Sequence, residues 1–552
     1  MTNKQDSGPS GTPELSATDH QEIEWQFEAE DLEPVEGWLH RHSSGSSGLT
    51  VAPGSTLEIT DSYYDTEDWR FYRAGYALRV RDTDGHVEAT MKSLDSAEGG
   101  LRNRREISEP LEDDRPATLE KAGGPVGGRA QLIVGGRELR KLFQIETRRR
   151  SFPLDEPGGE VLLDASEISV GEDRVILRRV EVEAGADPGP GLHDFVDEMQ
   201  SALDLSPATL SKYESGLYAG GLDPEGDTGF GSILIDRSMS VGEVAFAVLR
   251  RQFAEMRAHE PGTRLGEDPE ELHDMRVPTR RMRAAMKVFG DALPERARWL
   301  RQELRWVAHA LGDVRDLDVQ IERFQAWKEG AGEEDSKFLD RVVRIVEKRR
   351  AAARENMLAV LDSDRYEHLE ASFAEMLRRG PERETDGQEL AGEPVTSVAP
   401  GLLSRRHRKF RKAARRLDGS SSPESFHDVR KKGKRFRYTL EFVSEVYGDP
   451  VDELVKPLKA IQDDLGDHQD AIVAAGYLRE LGTTTGGTRV PRGAAFTMGV
   501  YAERCASEAQ DMRSTIPGSK TFSTLTKGKR WKKFRNVLED KKASGVASKS
   551  VW

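Results

Sequence analysis

Charged residues at a spacing of two recur through the amino-terminal part of the sequence. The pairs are Glu22 and Glu24, Arg79 and Arg81, and Glu181 and Glu183. Residues i and i+2 of a β-strand point to the same face, so each pair would present two like charges side by side. Paired carboxylates make a hard-oxygen site for Mg²⁺ or Mn²⁺, and paired arginines fit phosphate oxygens. Any one pair is compatible with a solvated strand face, but together they would permit metal-assisted attack of water on a phosphoanhydride.

Short strands must position these pairs. From Glu22 to about Leu217, alternating segments are separated by turns rich in Gly and Pro, which predicts antiparallel β-structure with a few helices. A closed barrel with a polar inward face would collect the charged groups in its lumen. Residues 1–20 are predicted to be a disordered tail, and the composition of 219–236 predicts a flexible linker.

From about Val241 onward, apolar residues recur every three or four positions, the spacing of amphipathic helices. The helical part is expected to cover 237–512, in two segments of about 237–378 and 401–512. Gly380–Gly401 is predicted to be a long polar loop, and 513–552 a Lys-rich, weakly structured basic tail.

A duplication runs through the helical part at a constant offset of 154 residues. In order, His273, Arg276, Arg280, Arg281 and Arg283 correspond to His427, Arg430, Lys434, Arg435 and Arg437. At the same offset, Leu304-Arg305 corresponds to Leu458-Lys459, and Leu311-Gly312-Asp313 recurs as Leu465-Gly466-Asp467. Agreement without gaps over separated motifs indicates a tandem of two similar helical bundles.

Each copy carries a basic stripe. His273, Arg276 and Arg280 are three and four residues apart, so they share one helix face. Like charges at these spacings repel, and the stripe therefore calls for a counter-charge, either an internal acid such as Asp316 or a bound polyanion. The repetition of the stripe favours the polyanion over a solvated basic face. Pro278 lies inside the first stripe and predicts either a kink or the start of that helix.

The composition bounds the function classes. The chain has 552 residues and a formal net charge of −15, which argues against a protein that coats DNA and favours capture of anions at defined basic sites. Cys505 is the only cysteine, so an intramolecular disulfide is excluded. No apolar run approaches the ~20 residues that cross a bilayer, and the first twenty residues lack a secretory signal. We therefore expect a cytoplasmic protein of roughly two to four domains.

The duplicated motifs resemble the CHAD domain (conserved histidine α-helical domain). HDMRVPTRRMR with LGDVRDLDV, and HDVRKKGKRFRY with IQDDLGDHQD, carry the likeness, which covers roughly 237–512. The resemblance implies two four-helix bundles whose basic faces flank a groove that binds inorganic polyphosphate. The polyphosphate-binding residues it implies are His273, Arg276, Arg280, Arg281, Arg283, Arg305, His427, Arg430, Lys434, Arg435, Arg437 and Lys459.

The β-rich part resembles CYTH domains, the triphosphate tunnel metalloenzymes, over about 21–218. EIEWQF, SYYDTEDWRFYRAGYALRVR, EATMK, GGLRNRRE and LSKYESGL follow the family pattern in order. The resemblance implies an eight-stranded antiparallel tunnel that binds triphosphate with Mg²⁺ or Mn²⁺. It assigns Glu22, Glu24, Glu181 and Glu183 to the metal, Arg79, Arg81, Lys92, Arg104, Arg149 and Lys212 to phosphate, and Glu88 and Asp164 to further acidic positions of the tunnel.

One residue departs from the CYTH pattern. The family's opening motif is Glu-x-Glu-x-Lys, and the corresponding catalytic positions here are Glu22, Glu24 and Gln26. Glutamine can donate a hydrogen bond to phosphate or water, but it carries no charge and cannot act as a base. The departure leaves two alternatives open: hydrolysis that proceeds without this lysine, or slowed or lost hydrolysis with phosphate binding on the remaining cations.

The sequence thus predicts an α+β multidomain protein, an N-terminal antiparallel β-tunnel followed by an all-α tandem of two four-helix bundles. We expect it to bind polyphosphate and to hydrolyse inorganic triphosphate or a related short phosphoanhydride, in a location compatible with polyphosphate granules. The alternative, favoured by Gln26, is a non-catalytic protein that only captures polyanion. Adenylate cyclase chemistry shares the tunnel, but no adenine pocket is specified. Aromatic residues are sparse in the basic stripes, which argues against nucleic acid as a partner, and no membrane partner is expected.

Overall fold

The computed structural model describes residues 17–42, 49–94, 97–155, 159–185, 190–226, 229–381, 390–483 and 492–547. The chain divides into two compact units, Met1–Gly226 with Pro261–Glu267, and Asp227–Glu260 with Asp268–Trp552. We call them the strand unit and the helical unit. Among the described residues, no helix combines the length and the apolar character needed to cross a bilayer.

A closed antiparallel barrel forms the centre of the strand unit. Its strands are β1 (Thr18–Glu28), β2 (Ser55–Asp65), β3 (Tyr76–Thr83), β4 (His86–Ser93), β5 (Leu101–Leu111), β6 (Arg140–Leu154), β7 (Gly159–Val170) and β8 (Asp173–Ala184). They are hydrogen-bonded in the order β5-β4-β3-β2-β6-β7-β8-β1, and β1 pairs again with β5, which closes the barrel. A two-residue strand, β9 (Ser206–Pro207), pairs with the end of β1. The predicted eight-stranded tunnel is confirmed.

Helices cover the outside of the barrel. They are α1 (Glu33–Arg41), α2 (Arg70–Arg73), α3 (Pro116–Lys121), α4 (Pro125–Val134) and α5 (Pro190–Leu203). A sixth helix, α6 (Lys212–Ala219), packs on lumen-facing positions instead, because its Tyr213 shares a cluster with Phe143 and Ile145 on the strand face of Arg149. Trp25 and Phe27 of β1 share one buried cluster with Trp38 of α1 and Phe195 of α5. Because side chains alternate along a strand, apolar residues that face these helices leave their polar neighbours facing the lumen.

The helical unit contains α7 (Val241–Ala258), α9 (Pro269–Val288), α10 (Arg296–Glu329), α11 (Glu333–Leu361), α12 (Asp364–Arg379), α13 (Val395–Ala414), α14 (Pro423–Glu441), α15 (Ser444–Tyr447), α16 (Asp449–Thr483), α17 (Arg492–Thr515), α18 (Lys520–Lys527) and α19 (Lys529–Ala547). The short α8 (Glu260–Leu265) belongs to the strand unit from Pro261 onward. The fold class predicted from the sequence, a β-tunnel followed by an all-α region, is therefore confirmed.

The duplication is visible in the helix boundaries. The helices α7 and α13 begin at Val241 and Val395, and α9 and α14 begin at Pro269 and Pro423, both 154 positions apart. Core positions keep the same offset: Leu272 corresponds to Phe426, Met275 to Val429, Leu304 to Leu458 and Leu311 to Leu465, and all are buried. The two copies therefore share helix positions and core positions.

Pro278 lies inside α9 and does not begin it. The helix begins at Pro269, after Asp268, whose side chain accepts a hydrogen bond from the backbone N–H of Glu270. His273 and Arg276 therefore lie on the helix, and the second of the two sequence alternatives for Pro278 is wrong.

Three other expectations are corrected within the described residues. The strand β1 begins at Thr18, inside the predicted tail of 1–20, whereas 1–16 lie outside the described residues. Phe230 and Ile235, in the predicted linker, are buried in the core of the helical unit. In the predicted loop Gly380–Gly401, α13 already begins at Val395, and 382–389 lie outside the described residues.

The predicted basic tail is also corrected, because α18 and α19 are helices. Phe522, Leu525, Phe534 and Leu538 are buried in the core of the helical unit. Lysine-rich composition concealed these apolar residues, which recur at helical spacing on the buried side. The last five residues, 548–552, lie outside the described residues.

Candidate functional site

A cavity of about 760 Å³ lies inside the barrel. The predicted residues in its wall are Glu22, Glu24, Gln26, Arg79, Arg81, Lys92, Arg104, Arg149, Glu181, Glu183 and Lys212. Asp164 lies behind the wall, fully buried, and contacts two wall cations. Glu88 shares a face of β4 with Lys92 but does not line the cavity, because it lies close to the β3–β4 turn at the end of the barrel.

Three carboxylates converge at the junction of β1 and β8. One oxygen from each of Glu22, Glu24 and Glu183 lies within 4.8 Å of the others, and Glu24 is directly opposite Glu183 in the strand register. Burial and the neighbouring carboxylates, Glu22 foremost, raise the pKa of Glu183 to about 8. Burial also raises the pKa of Glu22. Glu22 and Glu183 thus resist ionisation in this crowded cluster. A hard divalent cation bound among the three carboxylates would offset their mutual repulsion.

A network of ion pairs borders this cluster on β4 and β5. Lys92 forms an ion pair with Glu22 and lies 3.5 Å from Glu24 and 3.3 Å from Glu106, and Arg104 forms an ion pair with Glu24. Burial opposes ionisation of Glu24, yet Lys92 and Arg104 lower its pKa to about 2. Glu24 is thus a carboxylate at neutral pH, beside two fixed cations.

On β2 and β3, Asp61 holds two arginines. Its carboxylate accepts hydrogen bonds from Arg81 Nε and Nη2 at 2.8 and 2.9 Å, and Arg79 Nε lies 3.7 Å away. Asp61 is 1% exposed. Burial would raise its pKa, but Arg81 and Arg79 hold that pKa well below its usual range.

A second network occupies β6, β7 and β8. Arg149 donates hydrogen bonds to both Asp164 oxygens at 2.8 and 2.7 Å, and to Glu181 at 3.1 Å. Lys212 forms an ion pair with Asp164 and lies 3.2 Å from Glu181. Glu181, a predicted metal ligand, is therefore engaged by cations, and it lies outside the three-carboxylate cluster. Its role at the metal stays a prediction.

Lys212 is positioned by a helix cap. Ser211 accepts a hydrogen bond from the Glu214 backbone N–H, while the Glu214 side chain accepts one from the Ser211 backbone N–H. This capping box fixes the first turn of α6. Lys212 is the first residue of that turn, and its ammonium group lies in the cavity wall.

Gln26 takes a defined place in the tunnel. Its Nε2 donates a hydrogen bond to Glu181 Oε1 at 3.1 Å, and its Oε1 accepts one from Arg179 Nη1 at 3.4 Å. Gln26 is 3% exposed. The amide thus bridges a carboxylate and a guanidinium, which a lysine could not do because it has no acceptor atom.

Sequence reasoning missed Asp61, Glu106 and Arg179 as members of the tunnel. A signal for two of them was available. Glu106 lies two residues after Arg104, and Arg179 two residues before Glu181, so each shares a strand face with a predicted residue. Asp61 had no such neighbour on its own strand, because its partners Arg79 and Arg81 lie on β3.

In the helical unit, the structure brings the two basic stripes together. The side chain of Lys434 on α14 lies among Arg280, Arg430, Arg437 and Arg276. Burial and these arginines lower the pKa of Lys434 to about 7. Cations from both copies therefore share one region, which we call the seam.

An aromatic ring lies within the seam. The guanidinium carbons of Arg280, Arg281 and Arg437 lie 6.0, 5.5 and 5.2 Å from the centre of the Tyr438 ring. Glu441 is close to Arg281 at 3.0 Å and to Arg437 at 3.5 Å. Tyr438 is 4% exposed, and its hydroxyl has no hydrogen-bond partner among the described residues.

The remaining predicted residues lie on α9, α10, α14 and α16 of the helical unit. Burial and nearby cations lower the pKa of both His273 and His427. Burial, Arg305 and Arg301 lower the pKa of Arg283, so Arg283 and Arg305 belong to one basic patch. Lys459 is exposed.

Two family models match the chain. A CYTH domain model matches residues 21–215, and a CHAD domain model matches residues 247–479. The barrel with its lumen of charged residues and the duplicated helical unit correspond to these two matches. The chain contains a CYTH domain followed by a CHAD domain.

Curated relatives match over part of their length. An uncharacterised protein of Mycobacterium tuberculosis is 31% identical over 258 residues, 44% of this chain and 46% of the relative. An inorganic triphosphatase of Haemophilus influenzae is 25% identical over 175 residues, 31% of this chain and 49% of the relative. The chain thus spans about half the length of these curated relatives.

Solved structures are similar to each half separately. The CHAD domain from the plant Ricinus communis is 24% identical, with 54% of this chain and 98% of that chain covered and a TM-score of 0.44. The HpAC1 protein of Hippeastrum, described as having a dominant triphosphatase activity, is 16% identical, with 37% of this chain and 100% of that chain covered and a TM-score of 0.27.

Proposed function

We propose that the strand unit hydrolyses inorganic triphosphate, or a related short phosphoanhydride, with a divalent metal ion, and that the helical unit binds inorganic polyphosphate. The observation that carries the first part is the position of three crowded carboxylates beside fixed cations in one cavity. The similarity to an inorganic triphosphatase of Haemophilus influenzae supports the same chemistry.

Glu22, Glu24 and Glu183 are the residues that would hold the metal. A divalent ion bound there would neutralise phosphate charge and provide an activated water. The lowered pKa of Glu24 keeps one ligand ionised, since Lys92 and Arg104 stabilise its charge against burial. Mg²⁺ and Mn²⁺ both prefer such oxygen ligands.

The arginines would orient the substrate. Arg81 uses Nε and Nη2 to contact Asp61, and Arg149 uses the same two atoms to contact Asp164. Each contact fixes the plane of the guanidinium group, so Nη1 is the nitrogen that can reach a phosphate oxygen. Cations held in place before the substrate arrives stabilise charge on a transferring phosphoryl group without reorganisation.

The hydrolase proposal is tested by phosphate release from inorganic triphosphate by the full chain. We expect turnover that requires Mg²⁺ or Mn²⁺, stops on chelation, and falls about 10²-fold or more in Glu24→Gln, since a metal ligand and the partner of Arg104 are both lost. The matched control is Glu58→Gln, an exposed acid near the start of β2 that does not line the cavity. Equal loss in both variants, or turnover that survives in Glu24→Gln, would refute the assignment.

A second candidate function has a specific observation in its favour. Gln26 replaces the motif lysine and is hydrogen-bonded on both sides, so the tunnel is ordered without that charge. In this alternative the tunnel binds triphosphate but does not cleave it. Tight, metal-dependent triphosphate binding without phosphate release would establish it.

Polyphosphate binding by the helical unit rests on the seam, where cations from both copies raise one another's electrostatic energy. A polyanion is the ligand that would relieve this repulsion. Arg280→Glu with Arg430→Glu should abolish binding of long polyphosphate. The control is Lys337→Glu with Lys348→Glu on α11, which changes the net charge by the same amount on exposed positions. Unchanged binding in the arginine variant would remove the seam from the binding site.

A further inference from the structure

The two copies of the helical unit differ on one face. A cavity of about 710 Å³ lies between α13 and α14 of the second copy. Four of its lining cations belong to α13 and the turn after it, namely Arg406, Lys409, Lys412 and Arg416, and α14 contributes Lys432 and Arg435. We call this cavity the second-copy groove. Of these residues, only Arg435 was predicted from the sequence, because the prediction followed what the two copies share.

The first copy has no counterpart to the α13 cations that line the groove. At an offset of 154, Arg406, Lys409 and Lys412 correspond to Gln252, Glu255 and Ala258. A slipped alignment does not explain the difference. Leu249 with Leu403, and Met256 with Phe410, are buried at the same offset on either side of these positions. Only the second copy therefore carries this basic face. Since both copies share the fold, the fold itself does not require these cations.

Other cations contribute to the potential at the groove. Burial, then Arg405 and Arg435, lower the pKa of Arg406. The second-copy groove also contains two acids, and one of them, Asp428, lies 2.5 Å from Lys432. Six lining cations against two acids leave a net positive groove, which attracts an anion.

Arg435 connects this groove to the duplicated stripe. It lines the groove and is the largest cause of the lowered pKa of Lys287 on α9, to which Arg301, Arg406 and Lys409 also contribute. Cations of α10, α13 and α14 therefore lie close enough to repel the ammonium group of Lys287 on α9. From Arg406 to Lys412, α13 extends this basic surface by about 9 Å.

We propose that the second-copy groove is an extension of the polyphosphate site that only long chains reach. This inference rests on the proposed binding of polyphosphate at the seam. A chain bound at the seam continues past Arg435 along α13, so the protein selects polyphosphate by length. Since one copy alone carries the extension, the bound chain is held asymmetrically across two otherwise similar bundles.

The lining favours polyphosphate over nucleic acid. The described residues that line the groove include no Phe, Tyr, Trp or His. Single-stranded nucleic acids gain much of their affinity from bases stacked on aromatic side chains, and this groove offers charge alone.

The test compares full-length protein with its Lys409→Glu, Lys412→Glu variant on a short and a long polyphosphate of defined length. We expect the variant to bind the long chain about tenfold or more weakly, and the slope of log affinity against log salt to decrease by about 2. Binding of the short chain should stay within about twofold. Arg416→Glu alone should act in the same direction, and Lys337→Glu with Lys348→Glu should leave both lengths unchanged.

The possible outcomes separate the groove from the seam. If the unaltered protein binds both lengths but the variant keeps its preference for the long chain, the groove extension is wrong while seam binding stands. If the unaltered protein binds neither length, the proposed polyphosphate function itself fails. If single-stranded RNA competes as well as polyphosphate of equal charge, the groove is a general polyanion surface and the assignment to polyphosphate is overturned.

Discussion

The tunnel and the seam both gather arginine and lysine, but their surroundings shift the pKa values of these cations in opposite directions. In the tunnel, despite burial, neighbouring acids raise the pKa of Arg79, Lys92, Arg104 and Arg149. In the seam, burial and neighbouring cations lower the pKa of Lys434 to about 7. The tunnel is neutralised from within, whereas the cations of the seam outnumber their internal acids, Asp316 beside Arg276 and Glu441 beside Arg281 and Arg437. An external polyanion would neutralise the remaining charge. The first arrangement favours a fixed geometry around a small substrate, and the second favours retention of a long chain.

The largest expected difference between the two sites is their response to salt. A protein that contacts about six to ten phosphates of a nucleic acid releases their counterions, and its affinity falls about 10³–10⁵-fold between 50 and 200 mM salt. We expect the seam to follow this rule. Triphosphate binding in the tunnel should change far less, because buried pairs are screened less than exposed charges. Parallel salt titrations of both ligands provide the measurement, and equal slopes would contradict the comparison.

Removal of an internal acid should damage the tunnel strongly. Asp164→Ala leaves Arg149 and Lys212 without their main partner inside the barrel. A buried ion pair broken on one side typically destabilises by about 3–5 kcal/mol, and urea unfolding of the full chain would show it in the transition of the strand unit. Glu58→Ala, an exposed control, should stay within about 0.5 kcal/mol. A small effect of Asp164→Ala would mean that the cations need no internal counter-charge.

The seam should take up a proton when it binds polyphosphate. Lys434 is half neutral near pH 7, since its pKa is about 7, and a bound anion raises that pKa. Affinity should therefore fall by up to about tenfold per pH unit above 7, until the raised pKa of the bound state is reached. Titration calorimetry in buffers of different ionisation enthalpy measures the proton uptake. Lys434→Met should abolish it, and persistent uptake would assign the proton to another group.

The smallest expected effect is on the free energy of unfolding of the helical unit. It should change with pH in the direction opposite to polyphosphate affinity. The pKa of Lys434 is lower in the folded protein than its unfolded value of ~10.4, so the unfolded chain binds more protons between about pH 7 and 10. Stability of the helical unit should therefore rise with pH across that window, while polyphosphate affinity falls. Lys434→Met should stabilise this unit by about 1 kcal/mol at pH 7, since each like-charge contact costs a few tenths. Destabilisation on denaturant unfolding would show that Lys434 contributes more by packing than it loses by repulsion.

The sequence predicted the tunnel because strand alternation places Glu22 with Glu24 and Arg79 with Arg81 on single faces, whatever the fold around them. It did not reveal Asp61, since the partnership with Arg81 depends on which strands are neighbours. Pairing across the barrel is a tertiary property, and only the register of β2 with β3 discloses it.

The seam was anticipated for a different reason. A repeat at constant offset shows which residues share a role, so His273 and Arg276 could be matched with His427 and Arg430 from the sequence alone. The same method concealed the second-copy groove, whose cations are absent from the first copy. It also missed α18 and α19, where the lysine content hid the buried Phe522 and Phe534.

The measurement that tests the central claim most directly is phosphate release from inorganic triphosphate by the full chain with Mg²⁺ and then Mn²⁺, beside a Gln26→Lys variant. We predict metal-dependent turnover by the unaltered protein, because the carboxylate cluster and the fixed arginines are complete without a lysine at position 26. No phosphate release by the unaltered protein, with release only by Gln26→Lys, would contradict this prediction. The tunnel would then bind triphosphate without cleaving it.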